Sequence, residues 1–118
     1  TLSYIYGAAA GFLHGALIAE SQNFDVREYG NNIAEIGPGM GEFLKHEGAV
    51  ISSGDFKLSQ SPLAISVEAT ERILERAKFS GINSEFPEFA TKWLKRAKEA
   101  GYEQEEFAAV IKTLRAAQ

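Results

Sequence analysis

The stretch from Leu2 to Ala19 constrains this fold more than any other, because it carries no Asp, Glu, Lys or Arg and is apolar around its whole circumference. A helix of that kind has no face for water and must be covered, by a protein core or by lipid. Gly7, Gly11, Gly15 and Ala19 recur every four residues, which leaves a nearly bare stripe where another backbone can approach closely. The length and the GxxxG spacing also fit a membrane span. Three features oppose the span: His14 lies near the middle, no Lys or Arg flanks the segment to orient it, and Gly, Ala and Ser dilute its hydropathy. The segment reads as a helix over about Leu2 to Ser21, buried on all sides within a soluble domain.

The remaining sequence punctuates itself into further helices. Asp25 is placed to cap a second helix, along which Val26, Tyr29, Ile33 and Ile36 recur at helical spacing. Gly37-Pro38-Gly39 should stop or kink it, since proline lacks the backbone donor and disfavours helix in the residue before it. Met40, Phe43 and Leu44 then read as a short third helix, and Gly48 to Gln60 as an extended loop. Ser61-Pro62 opens a fourth, with serine at the N-cap and proline in the first turn. Leu63, Val67, Ile73, Leu74 and Ala77 form its apolar face, and Gly81 closes it. A fifth follows Ser84 and Phe86-Pro87, with Phe89, Trp93 and Ala97 as one stripe and Gly101 at its end. The sixth runs from about Glu103 to Ala117, with Glu103, Glu105 and Glu106 at its positive end and Lys112 and Arg115 at its negative end. Nothing alternates with period two for long, so the expected class is all-α, with five to six helices and no sheet.

Length and charge bound the function. A chain of 118 residues makes one domain around one core, and 45% hydrophobic with 24% charged residues is the balance of a globular protein. A net charge of -4 and a pI near 5.2 argue against a nucleic-acid partner, whose phosphates need clustered Lys and Arg. The absence of cysteine removes disulfides, thiolate nucleophiles and thiolate metal sites, and makes the cytoplasm the default compartment. The chain starts at Thr1 without Met or a signal-peptide pattern, so Thr1 reads as a cut point.

Candidate chemistry is sparse. Glu35-Ile36-Gly37-Pro38-Gly39-Met40-Gly41, with Asp55 further on, looks like the first motif of Rossmann-like methyltransferases. That motif needs a strand before it and a parallel sheet around it, whereas the residues before Gly37 read as helix. A plain Gly/Pro helix break is the better account. His14 and His46 are the only histidines and fall on different helices with no HExxH-like pair, so no metal site is expected. His14 in an apolar helix reads first as a hydrogen-bonded core or interface residue. Tyr6 needs a partner for its hydroxyl if buried and could meet a substrate.

Beyond these local readings, Tyr6-Gly7-Ala8-Ala9-Ala10-Gly11-Phe12-Leu13-His14-Gly15-Ala16-Leu17 closely resembles the start of the C-terminal domain of NADPH-dependent imine reductases and reductive aminases. Gly54-Asp55-Phe56 followed by Ser61-Pro62-Leu63-Ala64-Ile65-Ser66 is similar to that family's Gly-Asp-Tyr turn and the segment after it. Gly81-Ile82-Asn83 before Phe86-Pro87, and Ala100-Gly101-Tyr102 before the last helix, carry the resemblance to the end of the chain.

The resemblance implies the helical C-terminal domain of a two-domain enzyme of the 6-phosphogluconate and 3-hydroxyacid dehydrogenase type. Residues 1-118 would then be one dimerisation and substrate-pocket domain, intertwined with a second copy as a homodimer. An N-terminal Rossmann domain, absent from this chain, would bind NADPH, and hydride would pass to a C=N carbon of a small-molecule substrate. By position, the pocket residues implied are Tyr6, His14, Ile36, Ile65 and Ser66. Ile36 stands near a frequent tryptophan of the family, and Ile65 and Ser66 near a frequent Met followed by Asn or Gln. The proton donor is expected two turns before Tyr6, upstream of Thr1, so the chain alone should hold no catalytic residue and have no activity. Two alternatives stay open: a relative acting on C=O, and a noncatalytic helical interaction module.

Overall fold

A computed structural model describes residues 1–60 and 62–115. They form α1 (Leu2–Ser21), α2 (Val26–Ser53), α3 (Leu63–Ser80), α4 (Glu85–Glu99) and α5 (Val110–Arg115), with a 3-10 turn over Phe107–Ala109 leading into α5. Among the described residues there is no strand, only an isolated bridge between Pro62 and Glu106. The all-α expectation holds, with five α-helices.

Several boundaries follow the local chemistry that the sequence announces. The Asp25 carboxylate accepts the Arg27 N–H at 2.9 Å and so satisfies one of the free donors at the start of α2. Gly81 ends α3 in the left-handed conformation at φ 68°, where a side chain would be strained. Asn83 Oδ1, rather than the Ser84 hydroxyl, takes the Glu85 N–H at 2.9 Å as α4 begins. Pro87 falls within the first turn of α4, where a backbone donor has no intrahelical acceptor to lose.

Several expectations need correction. Gly37-Pro38-Gly39 does not end α2, which runs on through Pro38 to Ser53 as one helix of 28 residues and replaces the expected short third helix. Proline here leaves only the Ala34 carbonyl without its usual donor, and that part of α2 is exposed, so water can serve it. Gly37 also carries no Cβ to collide with the proline ring. The loop expected from Gly48 therefore starts only at Gly54, whose φ of 74° closes α2 with its N–H on the Val50 carbonyl.

At α3, Pro62 is the N-cap rather than a first-turn residue, with an extended φ of -70° and ψ of 151°. Ser61 lies outside the described residues. The last helix begins at Val110, not near Glu103, because Glu105 and Glu106 are used by tertiary contacts; its expected end at Ala117 also lies outside the described residues. On α4 the buried positions are Pro87, Thr91, Leu94 and Ala97, so Phe89 and Trp93 fall on a more exposed flank, where their rings meet at 4.7 Å.

The core is built where α3, α4 and α5 meet, around Leu63, Val67, Leu94, Ala97 and Val110. A second cluster of Val50, Phe56, Ala108 and Ala109 ties the end of α2 to the 3-10 turn. Helix α1 touches only α2 and α4 among its main neighbours, and of its residues only His14 and Ala19 are buried. The expectation that α1 is buried on all sides is not met within one chain. Its apolar composition demands a cover, and the other helices of the chain are occupied with each other.

Candidate functional site

Two features give this fold chemistry of its own: an apolar groove between α1 and α2, and a buried polar knot at the far end of α2.

The groove exists because Gly15 of α1 faces Tyr29 of α2. The Tyr29 hydroxyl donates to the Phe12 carbonyl at 3.0 Å, and its ring stacks on Phe12 with centroids 5.0 Å apart. A Cβ placed on Gly15 would overlap the Tyr29 hydroxyl and lie 2.7 Å from Cζ, so the bare backbone at Gly15 is what admits the ring. Burial pushes the Tyr29 phenol up from its ordinary pKa. Above this contact, Tyr4, Gly11, Phe12, Ile33, Ile36 and Met40 line an open cavity of about 320 Å³. Nothing charged lines it, so the groove suits an apolar surface or an apolar substrate.

On its other side α1 is held by His14. Its Nε2 lies 2.7 Å from the Asn83 carbonyl, so Nε2 carries the hydrogen, and its ring lies 5.9 Å from Phe86. His14 thus clamps α1 to the turn before α4, as a hydrogen-bonded core histidine, while also bordering a cavity of about 540 Å³ with Leu17, Glu20 and Phe86. Of the five pocket residues expected from the family, Ile36 lines the first cavity and His14 the second. Tyr6 is 72% exposed on α1, Ile65 is 52% exposed on α3, and Ser66 on α3 is half-buried; none of these three lines either cavity. One chain by itself does not gather the five into a single pocket.

The polar knot was not visible in the sequence. His46 Nε2 lies 2.8 Å from Glu106 Oε1 and 3.6 Å from Glu47 Oε2. Glu106 Oε2 accepts the N–H groups of Ser59 and Gln60 at 2.9 and 3.1 Å, while Glu47 Oε1 accepts the Ala108 N–H at 2.8 Å. Glu106 is 1% exposed and Glu47 4% exposed. Burial works against the charge on Glu106, but the Ser59 N–H, His46 and the Gln60 N–H outweigh it and hold its pKa at about 2. Burial raises the pKa of Glu47, offset in part by the Ala108 N–H and reinforced by the facing Glu106. Glu106 reads in sequence as a helix-end carboxylate, and 60 positions separate it from His46, so spacing carries no signal of their meeting.

The sequence matches the family model of the NADPH-dependent reductive aminase-like C-terminal domain over residues 1–116. The chain belongs to this reductive aminase-like family. No curated protein matches the sequence. Among solved structures, a reductive aminase from Aspergillus terreus in complex with NADPH and ethyl levulinate superposes at a TM-score of 0.89 with 23% identity, over 96% of this chain and 40% of that one. An imine reductase from Pseudomonas sp. gives 0.88 at 18% identity over 96% and 39%, and one from Myxococcus stipitatus in complex with NADP+ gives 0.90 at 16% identity over 96% and 40%. The chain thus spans about two-fifths of the length of these enzymes.

Pyrophosphate binding needs a glycine-rich strand-to-helix turn or convergent cations. Among the described residues there is no strand and the glycine string Gly37 to Gly41 lies inside α2; neither cavity beside α1 is lined by Lys or Arg, and the arginines that do line a cavity, Arg72 and Arg76, lie on α3 beside Phe79. The methyltransferase-like reading of that string fails for the same reason. The described residues thus form no glycine-rich strand-to-helix turn for the phosphates of a dinucleotide.

Proposed function

We propose that this domain dimerises and forms one wall of the substrate pocket in an NADPH-dependent reductase acting on C=N bonds. The observation that carries this is the uncovered apolar face. Leu2, Ile5, Tyr6 and Leu13 on α1 and Ile36 and Met40 on α2 are all exposed, and α1 meets chiefly α2 and α4 of its own chain. Large contiguous apolar exposure in a folded chain marks an interface. α1 is also long and apolar enough, with a window of mean hydropathy 1.4, to cross a membrane by composition. Its seat on α2 and α4 through Tyr29 and His14 favours a protein cover instead.

In this reading a second copy covers the α1–α2 face, and a preceding Rossmann domain holds NADPH and carries the proton donor. This domain supplies shape and the exclusion of water around an apolar imine, with Ile36 on the wall and Tyr6, Ile65 and Ser66 reaching the pocket only once both copies are assembled. An apolar wall lacking general acids binds and orients; it performs no proton transfer.

Two outcomes are expected. The chain by itself leaves NADPH unoxidised in the presence of a cyclic imine. The longer protein that carries this domain behind its Rossmann domain consumes NADPH with the imine, and Ile36→Trp, which refills the position of the family's frequent tryptophan, changes KM among imines of different size by roughly tenfold, the scale of reshaping an apolar pocket. NADPH consumption with carbonyl compounds alone would move the assignment to C=O reduction. No NADPH binding and no turnover with either class would overturn it.

A further inference from the structure

The knot of His46, Glu47 and Glu106 is unbalanced. Two buried carboxylates face one imidazole, and no lysine or arginine pairs with either of them among the described residues. The nearest lysine of the α5 segment, Lys112, is held elsewhere, by Glu105 and over the rings of Phe56 and Tyr102 at 4.7 and 3.9 Å. With both carboxylates ionised, even a charged imidazolium leaves one negative charge uncompensated in a place where unpaired charge is expensive, and either a proton on Glu47 or a bound cation relieves it. A second observation points the same way: Glu47 Oε2 is fully buried, has no hydrogen-bond partner among the described residues, and is turned toward His46 Nε2.

We propose that this knot is a binding site for one divalent transition-metal ion of the zinc class. His46 Nε2, Glu47 Oε2 and Glu106 Oε1 would be the ligands. The three residues offer ligand atoms that all lie within 4.8 Å of one another, and the two measured edges, 2.8 and 3.6 Å, bracket the separation of donors around an ion bound at about 2.0–2.2 Å. One imidazole nitrogen with two carboxylate oxygens suits zinc and its neighbours better than calcium, which takes six to eight oxygens. The Ser59 hydroxyl, 3.3 Å from His46 Nε2, stands where a fourth oxygen or its bound water is needed. The outer groups are in place as well: the Ser59 and Gln60 N–H groups fix Glu106, and the Ala108 N–H fixes Glu47. On binding, the ion takes the place of the hydrogen on Nε2: an imidazolium releases that proton to solvent, and a neutral imidazole keeps its one hydrogen on Nδ1. Its role is structural, since it joins the end of α2 to the segment before α3 and to the 3-10 turn before α5.

The site is independent of the reductase reading and is tested on this chain. Zinc chloride titrated by calorimetry into chelator-stripped protein is expected to give one site per chain. His46→Ala, at a side chain that is one-third exposed, should weaken it at least tenfold, as should Glu47→Gln. Proton NMR of the wild-type protein needs no variant: the imidazole signals of His46 should shift saturably at one equivalent of zinc. Unshifted His46 signals, or zinc binding undiminished in folded His46→Ala protein, would overturn the proposal.

Discussion

Glu106→Ala is expected to lower unfolding stability by about 3 kcal/mol or more, because it removes the one buried acceptor that serves three donors. The Ser59 and Gln60 N–H groups and His46 Nε2 all end on this carboxylate, so its loss leaves them facing a cavity. In a domain of this size that shift is a drop of roughly 10 °C in Tm or more by calorimetry. Glu106→Gln should fall between the two, since the amide keeps the shape and one acceptor but presents the wrong group to one side. The neighbouring Glu105 is the control. It pairs with Lys112 on a partly exposed surface, and Glu105→Ala should cost under about 1 kcal/mol. Equal losses at 105 and 106 would contradict the assignment of the buried knot.

The second large effect concerns the glycine stripe. Gly15→Ala places a methyl group against the Tyr29 hydroxyl and Cζ, on a ring pinned by its bond to the Phe12 carbonyl. Alanine gains roughly 1 kcal/mol over glycine in a helix, whereas forcing atoms into an occupied space costs about 1–3 kcal/mol and here breaks a hydrogen bond as well. The clash wins, and net destabilisation of about 1–2 kcal/mol by denaturant unfolding is expected. In a Tyr29→Phe background the penalty should shrink, since the hydroxyl is gone, without vanishing, since Cζ remains. Gly11→Ala meets Phe86 only at an ordinary 3.5 Å and should be tolerated, whereas Gly11→Leu overfills the same space and should disrupt folding or association. A Cβ on Gly7 would meet nothing within 4 Å among the described residues. The stripe is thus not uniform, and only its Gly15 end is closed by the chain's own packing.

That contrast marks how much of the molecule could be read from residues. Caps and stops written in local chemistry, Asp25, Gly81 and Gly101, fell where expected. Pro38 did not break its helix, because a single lost hydrogen bond in an exposed stretch is a modest penalty against a long helix anchored by Val50 near its end. Glu106 looked like one of three helix-end carboxylates and turned out to be the most buried acid in the chain, a tertiary contact that no local pattern encodes. Helix α1 announced that it must be covered but not by what. The order of its motifs supplied the family, and the fold of the two solved enzyme types agrees with it. The pocket residues that the resemblance implies, Tyr6, Ile65 and Ser66, line neither cavity beside α1 within one chain.

Whether a second copy of this domain covers the α1–α2 face, as proposed, is read by sedimentation equilibrium. The wild-type chain is expected to sediment as a dimer, and Ile36→Glu, which places a charge at the exposed centre of the face, should raise the dissociation constant by at least 100-fold while helical circular dichroism is retained. A helical wild-type chain that sediments as a monomer at all concentrations, or a dimer indifferent to Ile36→Glu, would contradict the account.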